Sequence, residues 1–119
     1  MNKFVGKHVV VAALVALVGS AQAAGVVGNP KDGASKAAMC IGCHGIQDYR
    51  TAYPEVYRVP VLGGQNEQYL ANALQAYRKK DRRFPSMNAI AGSLTDQDIA
   101  DLAAYYAAQK PDSKDNPYK

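Results

Sequence analysis

The chain has 119 residues, no Trp, two Phe and eight Tyr, and sets 14 basic residues against 10 acidic ones for a formal net charge of +4. Two of the basic residues, Lys3 and Lys7, fall in an opening segment that reads as removable. The remainder is close to charge balance, which gives no general case for binding nucleic acid or a membrane surface. That remainder fits one small domain, and domains of this size often need something besides side-chain packing to hold them.

In chain order, Lys3 and Lys7 precede an apolar run over residues 9–18, followed by Ala21-Gln22-Ala23, the small-x-small form that signal peptidase cuts. The pattern predicts a secretory signal over residues 1–23, cleaved after about Ala23. The apolar run is only about half of the roughly 20 residues a bilayer-spanning helix needs. No other segment is apolar enough to span, so the mature protein is expected to be soluble and exported.

Three helices are predicted. Asn29 is a good N-cap before Pro30, with Asp32 in the first turn and small residues leading to the cysteines. After an irregular stretch over residues 45–65, Asn66 can cap a second helix, whose Tyr69, Leu70, Ala73, Leu74 and Tyr77 form an apolar stripe at helical spacing. Thr95 and Asp98 stand at capping-box spacing ahead of a third, with Leu94 and Ile99 where a hydrophobic staple puts them. This helix runs to about Gln109, and residues 111–119 are expected to form a flexible tail.

The two cysteines stand together in "MCIGCHG", with His44 directly after Cys43. A structural zinc site uses four ligands, and without His8 of the signal the chain offers Cys40, Cys43 and His44. A thiol redox centre belongs at the head of a helix that follows a strand, whereas these cysteines end a helix and no convincing strand is visible. A disulfide would close a tiny loop and stabilise little by chain entropy, though two cysteines alone leave it open. A haem anchor uses every group of the motif. Cysteines at i and i+3 share one face of a helical turn, so both sulfurs can form thioethers to porphyrin vinyl groups, and His44 is carried beneath the ring to bind iron.

A second axial ligand is needed for a six-coordinate iron. Met39 adjoins Cys40 on the proximal side and Met1 leaves with the signal, so the candidate is Met87, in the expected loop between the second and third helices. Leu62, Leu70, Leu74, Tyr77, Ile90, Leu94 and Leu102 are candidates for haem or core packing. The Tyr-rich residues 49–58 are expected to cover a haem edge or to reach a propionate through Arg58 or Gln65.

Taken in order, "CIGCHG", "VPVLGGQNEQYL", Met87 and "LTDQDIADLAAYYA" resemble a class I c-type cytochrome of the small soluble bacterial periplasmic kind, over about residues 30–109. The resemblance implies an all-α cytochrome c fold with three main helices and loops around one covalently attached haem c, in a domain spanning residues 24–110. It further implies that Gly33 meets an aromatic ring, Tyr105 or Tyr106, where the first and last helices cross. Pro60 matches the proline whose carbonyl accepts a hydrogen bond from the axial histidine. Relatives often carry Met-Met where this chain has Met87-Asn88, and two-haem relatives have a second C-x-x-C-H that this chain lacks.

With both axial positions filled by protein, the expectation is a periplasmic carrier of single electrons between respiratory or dehydrogenase partners, and not an enzyme. The alternatives are a tightly bound subunit of a periplasmic oxidoreductase complex, or an open-site haem protein with peroxidase or gas-binding activity. A basic ridge of Arg78, Lys79, Lys80, Arg82 and Arg83 beside the Met87 segment is expected to dock on acidic partner surfaces.

Overall fold

A computed structural model describes residues 25–53 and 55–110. The expected signal segment and C-terminal tail lie outside the described residues. Five helices and one short hairpin follow in order: α1 (Pro30–Lys36), α2 (Ala38–His44), β1 (Arg50–Thr51), β2 (Tyr57–Arg58), α3 (Glu67–Lys79), α4 (Pro85–Gly92) and α5 (Asp96–Ala108).

The first predicted helix is two helices. Asn29 caps α1 by accepting from the Lys31 N–H, and the chain turns at Ala37, whose carbonyl accepts from both Cys40 and Ile41. That shared acceptor tightens the turn and ends one helix where the next begins. The result is that α2 is a separate short helix carrying "AMCIGCH".

Helix α5 is the centre of the molecule. Thr95 and Asp98 form the predicted capping box, and the helix buries Ile99, Leu102, Ala103, Ala104, Tyr105 and Tyr106. Leu94 and Ile99, the predicted staple, join Leu70, Ala37 and these residues in one core. Helix α1 crosses α5 in the most extensive helix–helix contact, and α3 packs against both α4 and α5. Gly33 makes the α1–α5 crossing close. A Cβ there would stand 2.6 Å from the Tyr105 Cβ, and closer still to the Asp101 carbonyl oxygen. Tyr105 is therefore the ring that meets Gly33, while Tyr106 turns to the other side and lines a cavity.

The crossing is also tied by a buried carboxylate. Asp101 is 1% exposed and accepts from the Asn29 backbone N–H at 2.7 Å, the Lys36 ammonium at 2.5 Å and the Gln97 amide at 2.8 Å. Lys36 also reaches Asp98 at 2.7 Å. Nothing in the residue order marks Asp101 as interior, because its partners come from 65 and 72 positions away.

Two expectations need correction. Strands are present: β1 and β2 pair antiparallel, Arg50 opposite Arg58 and Thr51 opposite Tyr57. Two residues per strand are too few to show alternation. The segment between α3 and α5 is not a plain loop, since α4 occupies most of it. Helix α3 ends at Lys80, which takes a left-handed φ of 66° and returns its N–H to the Tyr77 carbonyl.

Candidate haem site

A cavity of about 470 Å³ opens between α2, the hairpin, α3, α4 and α5, within the size range of small-molecule and cofactor sites. Its walls are mainly apolar. All seven residues predicted to pack on haem or core line it: Leu62, Leu70, Leu74, Tyr77, Ile90, Leu94 and Leu102. So do Cys40, Cys43, His44, Pro60 and Met87, drawn from three separate parts of the chain.

Helix α2 presents the motif. Its seven residues place Cys40 and Cys43 three apart on one turn, with His44 as the last residue before Gly45 caps the helix. The thiols are not joined to each other. Burial pushes the Cys40 thiol up, an effect the neighbouring Tyr106 hydroxyl partly offsets. Among the described residues, no group of three or more His, Cys, Asp or Glu side chains is placed to hold a bare metal ion.

His44 is 9% exposed, and its Nδ1 lies 2.7 Å from the Pro60 carbonyl oxygen. A carbonyl only accepts, so Nδ1 carries the proton and Nε2 keeps its lone pair. Burial holds the imidazole below its ordinary value of 6.5, the Pro60 bond pulling the other way, which favours the neutral ring a metal ligand requires.

Met87 stands in the first turn of α4, half-buried, with its side chain on the cavity wall. The N-cap of this helix, Phe84, has no side-chain cap of its own. Asn88 supplies one from inside the helix. Its Oδ1 accepts the Phe84 N–H at 2.9 Å, while its Nδ2 donates to the carbonyls of Tyr77 at 2.7 Å and Arg82 at 2.8 Å. One amide thus fastens the Met87 turn to the end of α3. Sequence reasoning noted Asn88 only for what it replaces.

The predicted basic ridge is divided. Arg78 bonds to the Leu94 carbonyl at 3.1 Å and to Asp96 at 2.5 Å, which ties α3 to the start of α5. All four of Lys79, Lys80, Arg82 and Arg83 are exposed, and of these Arg82 and Arg83 also border the cavity. Arg58 does not line the cavity. It pairs with Asp48 on the outer hairpin, whereas Gln65 does face the cavity.

Two thiols on one helical turn, a neutral buried imidazole beside them and an apolar cavity suit a flat, largely apolar, iron-bearing macrocycle fixed by two thioethers. Comparison with known proteins agrees. Residues 31–109 match the family model described as Cytochrome c.

The chain belongs to the cytochrome c family.

It is 39% identical over 94 residues to cytochrome c4 of Pseudomonas aeruginosa, covering 79% of this chain and 43% of that protein. Cytochrome c-554(548) of Halomonas halodenitrificans is 37% identical over 86 residues, covering 70% of this chain and 99% of that one. The crystal structure of reduced recombinant cytochrome c4 from Pseudomonas stutzeri superposes with a TM-score of 0.57 at 33% identity, covering 71% of this chain and 47% of the other. The chain thus spans under half the length of these cytochrome c4 relatives and nearly all of cytochrome c-554(548). Its fold is the all-α cytochrome c fold, and its cofactor is covalently bound haem c.

Proposed function

We propose that this cytochrome is a periplasmic carrier of single electrons, with haem c bound through Cys40 and Cys43 and its iron ligated by His44 and Met87. When bound, haem c supplies one-electron ferric–ferrous chemistry. The observation that carries the reading is the convergence of these four side chains, from α2 and α4, on one apolar cavity.

Each residue has a defined task. Cys40 and Cys43 supply the thioether sulfurs. His44 offers Nε2 to iron while Pro60 fixes the ring's tautomer and orientation through Nδ1, a bond that also raises the basicity of the ligating nitrogen. Met87 gives a thioether ligand, which together with imidazole favours the ferrous state and raises the potential. The apolar walls exclude water and hold the change of charge on reduction in a low-dielectric surround. With His44 and Met87 both holding the iron, no position would remain for a substrate, and the protein would act as a carrier.

Export rests on the signal pattern of residues 1–23, with cleavage after about Ala23. Among the described residues, no helix is long and apolar enough to cross a membrane.

Absorption spectra of the purified protein, oxidised and reduced, test the reading. Haem is expected to resist acid-acetone extraction, and the oxidised form to show the weak red-edge band of a Met–iron bond. The reduced protein is expected to leave carbon monoxide unbound. Extractable haem overturns the thioether assignment, and avid carbon monoxide binding overturns the closed site in favour of a peroxidase or gas-binding role.

A further inference from the structure

The bond between His44 and Pro60 depends on where the Pro60 carbonyl stands, and a carbonyl in a loop needs something to hold it there. Pro60 has no N–H of its own to fasten it. The chain is instead tied on both sides. One residue before, the Val59 N–H donates to the Tyr49 carbonyl at 2.9 Å, which seats Pro60 at the foot of the hairpin. Four residues after, the Gly64 N–H donates to the Tyr106 carbonyl at 2.8 Å, in the last turn of α5.

The second tie calls for glycine. The Gln65 N–H returns to the Leu62 carbonyl at 3.1 Å, closing a four-residue turn in which Gly64 stands third with a φ of +78°. A turn with positive φ at that position favours glycine, because any other L-residue brings its Cβ against its own backbone. Space around Gly64 is not the obstacle, since a Cβ there would stand 3.4 Å from the Gln109 carbonyl oxygen, an ordinary contact. The Tyr106 carbonyl also accepts from the Gln109 N–H at 3.2 Å, so the turn and the end of α5 share one acceptor. Leu62 and Gln65, the two ends of the turn, both line the cavity.

We propose that Gly64 is a positioning residue of the iron site: its left-handed turn locks residues 60–65 onto the end of α5 and so sets the Pro60 carbonyl against His44 Nδ1. The assignment rests on the haem ligation proposed above. A side chain at position 64 is relieved by swinging φ to negative values, which opens the turn, loosens the Tyr106 bond and frees the segment that carries Pro60. A longer bond from Nδ1–H to the Pro60 carbonyl leaves the ligating Nε2 less basic. The less basic ligand stabilises ferric iron less, so the potential rises.

The test uses holoprotein of Gly64→Ala, Gly64→Asn and Thr95→Ala, read by the potential and by the NMR resonance of the His44 Nδ1 proton in the reduced form. Gly64→Ala is expected to raise the reduced-to-oxidised ratio at fixed potential about threefold, equivalent to about 28 mV for one electron. The resonance is expected to move upfield as the bond lengthens. Asparagine tolerates the left-handed region better than alanine, so Gly64→Asn is expected to fall between wild type and Gly64→Ala, and it serves where the alanine form fails to assemble. Thr95→Ala removes the capping box at the opposite end of α5 and is expected to leave the resonance in place and to change the ratio by less than about 1.5-fold. Wild-type values in Gly64→Ala, or in Gly64→Asn where it alone assembles, overturn the assignment, as does a shift of equal size in Thr95→Ala. Absence of covalent haem or of the Met–iron band from the unmutated protein would fail the site itself, a separate result.

Discussion

As the proposed iron ligands, His44 and Met87 are held unequally, and the residues around them explain why. His44 is buried and tied to Pro60 at 2.7 Å, at the end of the helix that also carries both cysteines. Met87 carries only a weakly accepting thioether, and its turn is held through the neighbouring Asn88. A thioether is also the weaker donor. Met87→Ala is therefore expected to leave haem attached and His44 ligated while opening the sixth position. The red-edge band should vanish, the potential should fall, and the reduced form should now bind carbon monoxide. An unchanged spectrum would make Met87 a core side chain.

Helix α4 shows how an element can be present without announcing itself. Its stability rests on Asn88, whose three hydrogen bonds join Phe84, Tyr77 and Arg82. Asn88→Ala removes all three at a net cost of about 1 kcal/mol each, so a loss of about 2–3 kcal/mol is expected in holoprotein unfolded by urea. Because the bonds fasten the Met87 turn, the red-edge band of Asn88→Ala should also disappear on heating before the helical circular dichroism does. Coincident loss of both signals would show that the amide supports the fold in general and not the ligand. The same residue explains what the sequence conveyed. The capping box of α5 and the Asn66 cap of α3 lie ahead of their helices, where a reader looks for them, and both form as predicted. For α4 the cap sits four residues inside, behind a proline and without a polar N-cap, so the pattern reads as loop. Cys40, Cys43 and His44 were legible because their spacing is itself the chemistry. The division of the basic run was not, since Arg78 finds Asp96 18 positions away and a run of cations gives no sign of which one is paired.

At the scale of the molecule, charge does two separate jobs. Lys79 and Lys80 are exposed at the end of α3, where their proposed role is to steer an acidic partner, whereas Arg78 is committed to Asp96. Reversing Lys79 and Lys80 to Glu should slow reduction by the native partner at low ionic strength, with the difference fading as salt rises, and leave the potential nearly unchanged. Rates indifferent to both would restrict these lysines to solubility. The second job is internal. Hydrogen bonds from Lys36 hold the Asp98 and Asp101 carboxyls below the ordinary carboxylate value of 3.8, and the two acids push Lys36 up to about 12. Depressed carboxyls stabilise the fold fully above their ordinary value, and that contribution is lost as pH falls below 3.8 toward their folded values; the raised lysine contributes below 10.5 and loses its share as pH rises through about 12. Asp101→Asn should lower stability near neutral pH by about 2–4 kcal/mol and flatten the acid limb of the stability profile measured by urea unfolding. An acid limb as steep as wild type would place the responsible carboxyl elsewhere. The position of Asp101 also governs the order in which the protein can assemble. Asn29 meets it across 72 residues, so the seam between α1 and α5 closes a loop of nearly the whole domain and cannot begin until the chain is almost complete. A contact map weighted to such distant pairs folds slowly for its helical content. Until α5 is available, α1, which leads directly into the helix bearing Cys40 and Cys43, has no partner helix to cross, so both thiols can be reached before the seam closes.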